Sequence, residues 1–300
     1  MKWFKIISII MLVAAGGAGG YAYYLYDTVK DTASQIYEPI KEKKSDLRKE
    51  EISVERHDPI SILIMGVDKR GNDRGRSDSM VVLTVNPRTD STLMFNIPRD
   101  TRTKIVGKGI QDKINHAYAF GGVPMTMKTV ENFLQVPIDY YVKVDMEGFA
   151  QIIDTLGGVD VHNQFAFHYE GYSFPEGALH LNGVKALKYS RMRYDDPRGD
   201  LGRNERQRQV LRAVMDKAAS PSILADLTEI LRSLGSSVKT NISPDELQKM
   251  SRDYRTAVQN VNTIEIKGSG TKISGIYYYI VSEQERNRIS EAMNNQLGLK

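Results

Sequence analysis

Between Ser190 and Gln209 the chain reads SRMRYDDPRGDLGRNERQRQ. Arg191, Arg193, Arg198, Arg203, Arg206 and Arg208 stand there beside Asp195, Asp196, Asp200 and Glu205. Arginine at this density suits a multiply charged oxyanion, because its planar fork grips phosphate oxygens in pairs. Spacing separates the arginines. Arg191 and Arg193 are two apart, which puts both on one side of an extended chain. On a helix over 203–218, Val210, Leu211, Val214 and Ala218 define an inward face. Arg203 and Gln207 continue that stripe toward the helix start. An arginine in such a position needs an internal carboxylate or a bound anion, since unpaired burial is costly. A helix start adds free N–H groups and the positive end of a dipole. Arg198, Arg206, Arg208 and Arg212 read as surface or supporting charges. The competing reading is an exposed helix laced with ion pairs, and the inward positions of Arg203 and Gln207 weigh against it.

A second set lies earlier. ISILIMGV, MVVLTV and TLMFNI are short apolar runs joined by short connections, as in an antiparallel meander. Asp68 follows the first run, Asp78 precedes the second, and Arg99 and Asp100 follow the third. A meander brings all four to one edge of the sheet. The loop KRGNDRGRS adds Arg70, Arg74 and Arg76. Aspartates at strand ends also cap turns, which is the structural alternative. Carboxylates beside arginines otherwise suit Mg2+ and a substrate phosphate, the equipment of phosphoryl transfer. His116 reads as structural, and the run Tyr277–Tyr279 reads as fitting a sheet, with sugar binding the alternative. No phosphate-binding glycine loop, serine-hydrolase elbow or zinc-protease motif is present. With no cysteine, thiolate catalysis and disulfides are excluded.

These residues need a scaffold. Hydrophobic content of 41% and charged content of 26% are enough for a real core. Strands alternating with helical patterns predict an α/β domain over 59–300, a layered mixed β-sheet with helices on both faces. Helices are expected over 201–219, 221–235 and 244–259, and a closing one starts at a Ser282–Glu285 capping box. Before the domain, Lys2 and Lys5 precede an uncharged run from Ile6 to Tyr26, long enough to span a bilayer. Positive residues stay inside, so residues 1–5 are expected in the cytoplasm and 6–26 as a single-pass signal anchor in the cell membrane. A cleaved signal peptide is the alternative reading. Residues 27–58 mix both charge signs and read as a stalk. A net charge of +4 is too small to argue for nucleic acid.

Five stretches in order are similar to one family: MGVDKRGNDRGRSDSMVVLTVNP, NIPRDTR, DKINHAYAFGG, DYYVKVDMEGFAQIIDTLGGVDV and LNGVKALKYSRMRYDDPRGDLGRNERQRQ. Together they resemble the LytR-CpsA-Psr family of cell-wall ligases, and within it the wall teichoic acid transferases. The resemblance implies a membrane-anchored extracellular domain that moves an anionic glycopolymer from an undecaprenyl diphosphate carrier to a peptidoglycan hydroxyl. It implies that Arg76, Arg99, Lys113, Arg191, Arg193, Arg203 and Gln207 meet the diphosphate. It associates Asp68 and Asp78 with magnesium, and makes Asp78, Arg99 and Asp200 the catalytic candidates. A hydrolase using water at the same site, and a transcriptional regulator, are the rival expectations.

Overall fold

The computed structural model describes residues 35–42, 44–68, 75–218 and 237–299. The expected anchor, Arg70, Arg74 and the expected helix 221–235 lie outside the described residues. Among the described residues no helix is long and apolar enough to cross a membrane. The three apolar runs form β1 (Ile60–Asp68), β2 (Arg76–Asn86) and β3 (Ser91–Asn96). They pair antiparallel in sequence order, as the short connections require. β2 begins before its apolar run, so Arg76 and Asp78 lie on the strand itself. A bulge at Gly66/Val67 shifts the register and sets Asp68 opposite Arg76. Bulges bend a strand and re-aim its side chains, here at the end that carries the chemistry.

A hairpin of β4 (Arg102–Ile105) and β5 (Ile110–Lys113) leads into α1 (His116–Leu134). Gly121 and Gly122 interrupt α1, Gly122 at φ 64°, and Pro124 follows. The chain then returns to the sheet as β6 (Tyr140–Asp145), parallel to β1. Next come α2 (Met146–Thr155), β7 (Val159–Asn163), β8 (Phe167–Tyr169), β9 (Tyr172–Phe174) and β10 (Gly177–Leu181). The arginine-rich stretch covers the end of α3 (Gly183–Arg191) and the start of α4 (Asp200–Ala218). β11 (Val238–Thr240), α5 (Pro244–Asp253), α6 (Arg255–Gln259), β12 (Val261–Thr263), a hairpin of β13 (Ser269–Ile273) and β14 (Ile276–Ile280), and α7 (Glu283–Leu297) complete the described chain. The central sheet runs β11-β6-β1-β2-β3-β12, mixed parallel and antiparallel.

Alternation along the strands divides the core. Leu63, Met65, Met80, Val82 and Phe95 bury one face beneath Met127 and Val130 of α1 and Ile289 and Met293 of α7. Ile60, Val81, Leu83 and Met94 bury the other beneath Tyr254 and Ala257, with Leu247 and Met250 packed alongside. A third cluster joins Ile153, Phe167, Phe174, Tyr189 and Val210. Phe167 stacks on Phe174 at 4.8 Å between ring centroids. The first half of α4 is therefore enclosed twice. Val210 enters the third cluster, while Arg208 donates from Nη1 to Asn96 of β3 at 3.1 Å.

Two expectations change. Arg206 and Arg208 are buried rather than surface charges. Arg206 pairs with the fully buried Asp196 and donates to the Tyr189 carbonyl at 3.1 Å, and Arg208 pairs with Glu265 at 2.6 Å. A wheel with one inward face misses a helix covered on two sides. The charge-dense segment before the domain also packs onto it over its described part. Arg48 meets Asp139 through two hydrogen bonds of 2.9 and 2.6 Å, and Ile36 is buried beside Val238.

Candidate active site

The meander and the start of α4 bring the two sets of charges together. Arg99 Nη1 lies 3.2 Å from Asp78 Oδ1, and Asn115 Nδ2 donates to the same oxygen at 3.0 Å. Arg99 Nε lies 3.8 Å from Asp100, whose other oxygen holds Lys113 Nζ at 2.7 Å. In the first turn of α4, Arg203 Nη2 lies 2.8 Å from Asp200 Oδ1, and Arg193 Nη1 reaches that oxygen at 4.0 Å. One turn on, Gln207 Oε1 accepts from Ser79 at 2.9 Å and from Asn96 at 3.3 Å. Gln207 thus fastens α4 to the sheet just above the charges.

The electrostatics tie the groups into one field. Burial lowers the Arg99 guanidinium's affinity for its proton, but Asp78, Asp200 and Asp100 outweigh it, and the pKa is raised. Arg203 goes the other way. Burial pushes it down, the cations Arg99 and Arg193 push further, and Asp200 and Asp78 only partly compensate. Arg203 is 7% exposed. It remains charged at neutral pH, as arginine does, so the site holds more buried positive charge than its carboxylates balance.

The hydrogen-bond accounting shows the same surplus. Nε of Arg99, and Nε and Nη2 of Arg203, are buried without a hydrogen-bond partner, as are Asp200 Oδ1 and Asn115 Oδ1. The 2.8 Å approach of Arg203 to Asp200 is an ion pair whose angles do not make a hydrogen bond. Buried donors are nearly always satisfied, and leaving one unmet costs about 1–3 kcal/mol. Three such guanidinium donors beside two aspartates have the chemistry to take oxyanion oxygens.

The profile of the LytR_cpsA_psr family matches residues 23–295. The chain belongs to that family. It is 49% identical over 292 residues to the polyisoprenyl-teichoic acid–peptidoglycan teichoic acid transferase TagU of Bacillus subtilis, covering 97% of this chain and 94% of TagU. The crystal structure of B. subtilis TagU aligns over 81% of this chain and 98% of its own, at 47% identity and a TM-score of 0.64. A structure described as TagT bound to LI-WTA aligns over 87% and 99%, at 29% identity and a TM-score of 0.74.

In this LytR_cpsA_psr chain the expected residues do not all converge. Asp78, Arg99 and Lys113 form one set of ion pairs, joined through Asp100, and Arg193, Asp200 and Arg203 form a second; the charges of the two sets act on each other. Asp68 and Arg76 face each other at the same sheet edge. Arg191 stands apart from these pairs. It is the last residue of α3, its charge acts on Tyr169 and Glu170, and Met192 as helix C-cap separates it from Arg193. The extended-chain reading of Arg191 and Arg193 therefore does not hold. Asn115, Ser79 and Asn96 were not singled out in the sequence. The signal for Asn115 was its place beside Lys113 in DKIN; Ser79 and Asn96 become visible only once Gln207 is set against the strands. His116 bonds Asp112 at 2.8 Å.

Proposed function

We propose that this chain transfers teichoic acid, an anionic glycopolymer, from an undecaprenyl diphosphate carrier to a peptidoglycan hydroxyl. The family and the names of the relatives support the reaction class. The unmet buried donors of Arg99 and Arg203 carry the reading at this site, because a diphosphate supplies the oxygens they lack. Arg193 approaches from the rim, Lys113 and Arg76 flank, and Arg191 contributes charge from further out. The acceptor hydroxyl oxygen attacks the polymer-side phosphorus. The bond from that phosphorus to the bridging oxygen breaks, and the bridging oxygen leaves on undecaprenyl phosphate. Asp200 or Asp78 takes the hydroxyl proton, and the arginines hold the charge that develops.

The donor set fits Mg2+. Asp68 ends β1 and Asp78 lies near the start of the adjacent β2, and Mg2+ usually takes one or two carboxylates alongside phosphate oxygens. Arg99 and Asn115 both reach Asp78 through Oδ1, which leaves Oδ2 outside those contacts. Among the described residues no cluster of three or more acidic or histidine side chains forms a metal site by itself, so substrate oxygens would complete the shell. Bound there, Mg2+ would neutralise diphosphate charge. In this reading residues 6–26 anchor the chain and the catalytic domain is extracellular.

The test is transfer of labelled lipid-linked polymer with and without peptidoglycan. Label should enter peptidoglycan, and Arg99→Ala and Arg203→Ala should lower transfer by about 100-fold or more. Free polymer released at equal rates in both arms would instead make the chain a hydrolase.

A further inference from the structure

Two tyrosines that the ion-pair network does not use stand at its solvent side. Tyr194 is 84% exposed. The Arg193 guanidinium sits 4.5 Å from its ring centroid, and Arg193 Nη2 donates to its hydroxyl at 2.7 Å. Tyr277, on β14, is 45% exposed, and its phenol feels the charges of Asp100, Asp200 and Arg193. The charge of Arg193 thus acts on both rings, in contact with Tyr194 and at longer range on Tyr277. Tyr277 is held in place. Its ring lies across Gly270 of the paired strand, where a Cβ would come within 2.6 Å of the tyrosine oxygen and 2.7 Å of the ring. The hairpin is itself fixed to the site, since Tyr279 N donates to Asp100 O at 2.8 Å and Arg102 lies over the Tyr278 ring at 5.8 Å.

We infer that Tyr194 and Tyr277 form the receiving edge for the acceptor, two aromatic faces against which a sugar ring of the glycan strand packs with its hydroxyl turned to Asp200. This rests on the transferase reading. Three features favour a sugar. The rings are open to solvent rather than lining a closed apolar slot. Their flat faces suit the C–H face of a pyranose, while Arg193 and Asp200 offer a donor and an acceptor to its hydroxyls. The acceptor is favoured over the donor's sugar because Asp200 lies between the rim arginine Arg193 and the buried Arg203. A hydroxyl that gives its proton to Asp200 from the solvent side passes the tyrosines.

The experiment uses the full chain, lipid-linked polymer and soluble uncrosslinked glycan strands. At saturating donor, Tyr277→Ala and Tyr194→Ala should raise the KM for strands roughly three- to tenfold, and in Tyr277→Ala the KM for donor should be unchanged. Tyr277→Phe keeps the ring and should keep the wild-type value. Tyr194→Ala also releases Arg193, so the Tyr277 variants decide. An unchanged acceptor KM in Tyr277→Ala, or a rise in donor KM instead, overturns the inference. Strand binding to the full chain without donor is the second readout: Tyr277→Ala should weaken it, and equal binding overturns the inference. Acceptor-independent polymer release by the wild type would sink the transferase reading itself, whatever the tyrosine variants do.

Discussion

Arg203 and Arg206 sit three residues apart on α4, both buried, and they are opposites. Arg206 has Asp196, the carbonyls of Tyr189 and Met192, and the ring of Phe167 at 5.4 Å. Arg203 has one poorly aligned carboxylate and two cations pushing on it. Removing one partner of a buried pair strands the other charge, so Arg206→Ala should cost about 3–5 kcal/mol in a denaturant titration. Arg203→Met should abolish most transfer yet leave the thermal midpoint equal to or above wild type, because it removes an uncompensated buried cation. A clear loss of stability in Arg203→Met would mean its donors are satisfied internally. The sequence singled out Arg203 by periodicity but gave Arg206 the wrong place. Residue type and spacing are blind to what covers the second side of a helix.

At the scale of elements, the close packing of α4 on the loop before it depends on a glycine. A Cβ on Gly202 would fall 1.9 Å from the Asp196 carboxylate, itself held by Arg206. Gly202→Ala should therefore cost about 2 kcal/mol or more, read as a lowered denaturation midpoint. Asp58 ties the turn at Val54–Arg56 to the loop between β2 and β3, through Arg56 at 2.7 Å and Arg88 at 2.7 Å. Partial burial raises its pKa, but the Ser53 amide and the two arginines prevail and lower it. A carboxylate lowered on folding stabilises above its ordinary pKa, and that contribution is lost as pH falls through the folded value. The stability gap between wild type and Asp58→Asn should be widest at neutral pH and shrink in acid; a gap independent of pH would refute this. The meander was legible because short connections leave little choice of topology. Helix ends were less so. Ser243 and Glu246 make a full capping box at α5, whereas at α7 Ser282 caps but Glu285 turns to the Lys267 amide and Arg288. Arg191 falls on the last turn of α3 rather than in the extended chain after it, because nothing local in SRMR marks where the helix stops.

For the whole molecule, the N-terminal side of the domain is the part that sequence placed least well. Mixed charge reads as a solvated stalk, and no local pattern reveals that Arg48 finds Asp139 across 91 positions of chain. Asp139 also accepts from the amide and hydroxyl of Ser61 at the start of β1, so the pair is built into the sheet. A chain begun at residue 59 should be less stable than one begun at residue 35, with a thermal midpoint lower by several degrees. Equal midpoints would show that residues 35–58 add nothing to the fold. The route by which this segment joins the domain has a mechanical meaning. Tyr37 bridges Thr240 in parallel on the edge strand β11, Glu38 N donates to Thr240 O at 2.7 Å, and Arg48 is clamped further in. Tension drawn through the segment would be met as shear along β11 and then by the Arg48–Asp139 clamp, so a pull on residues 35–58 would be absorbed at one edge of the sheet before it could disturb the arginines.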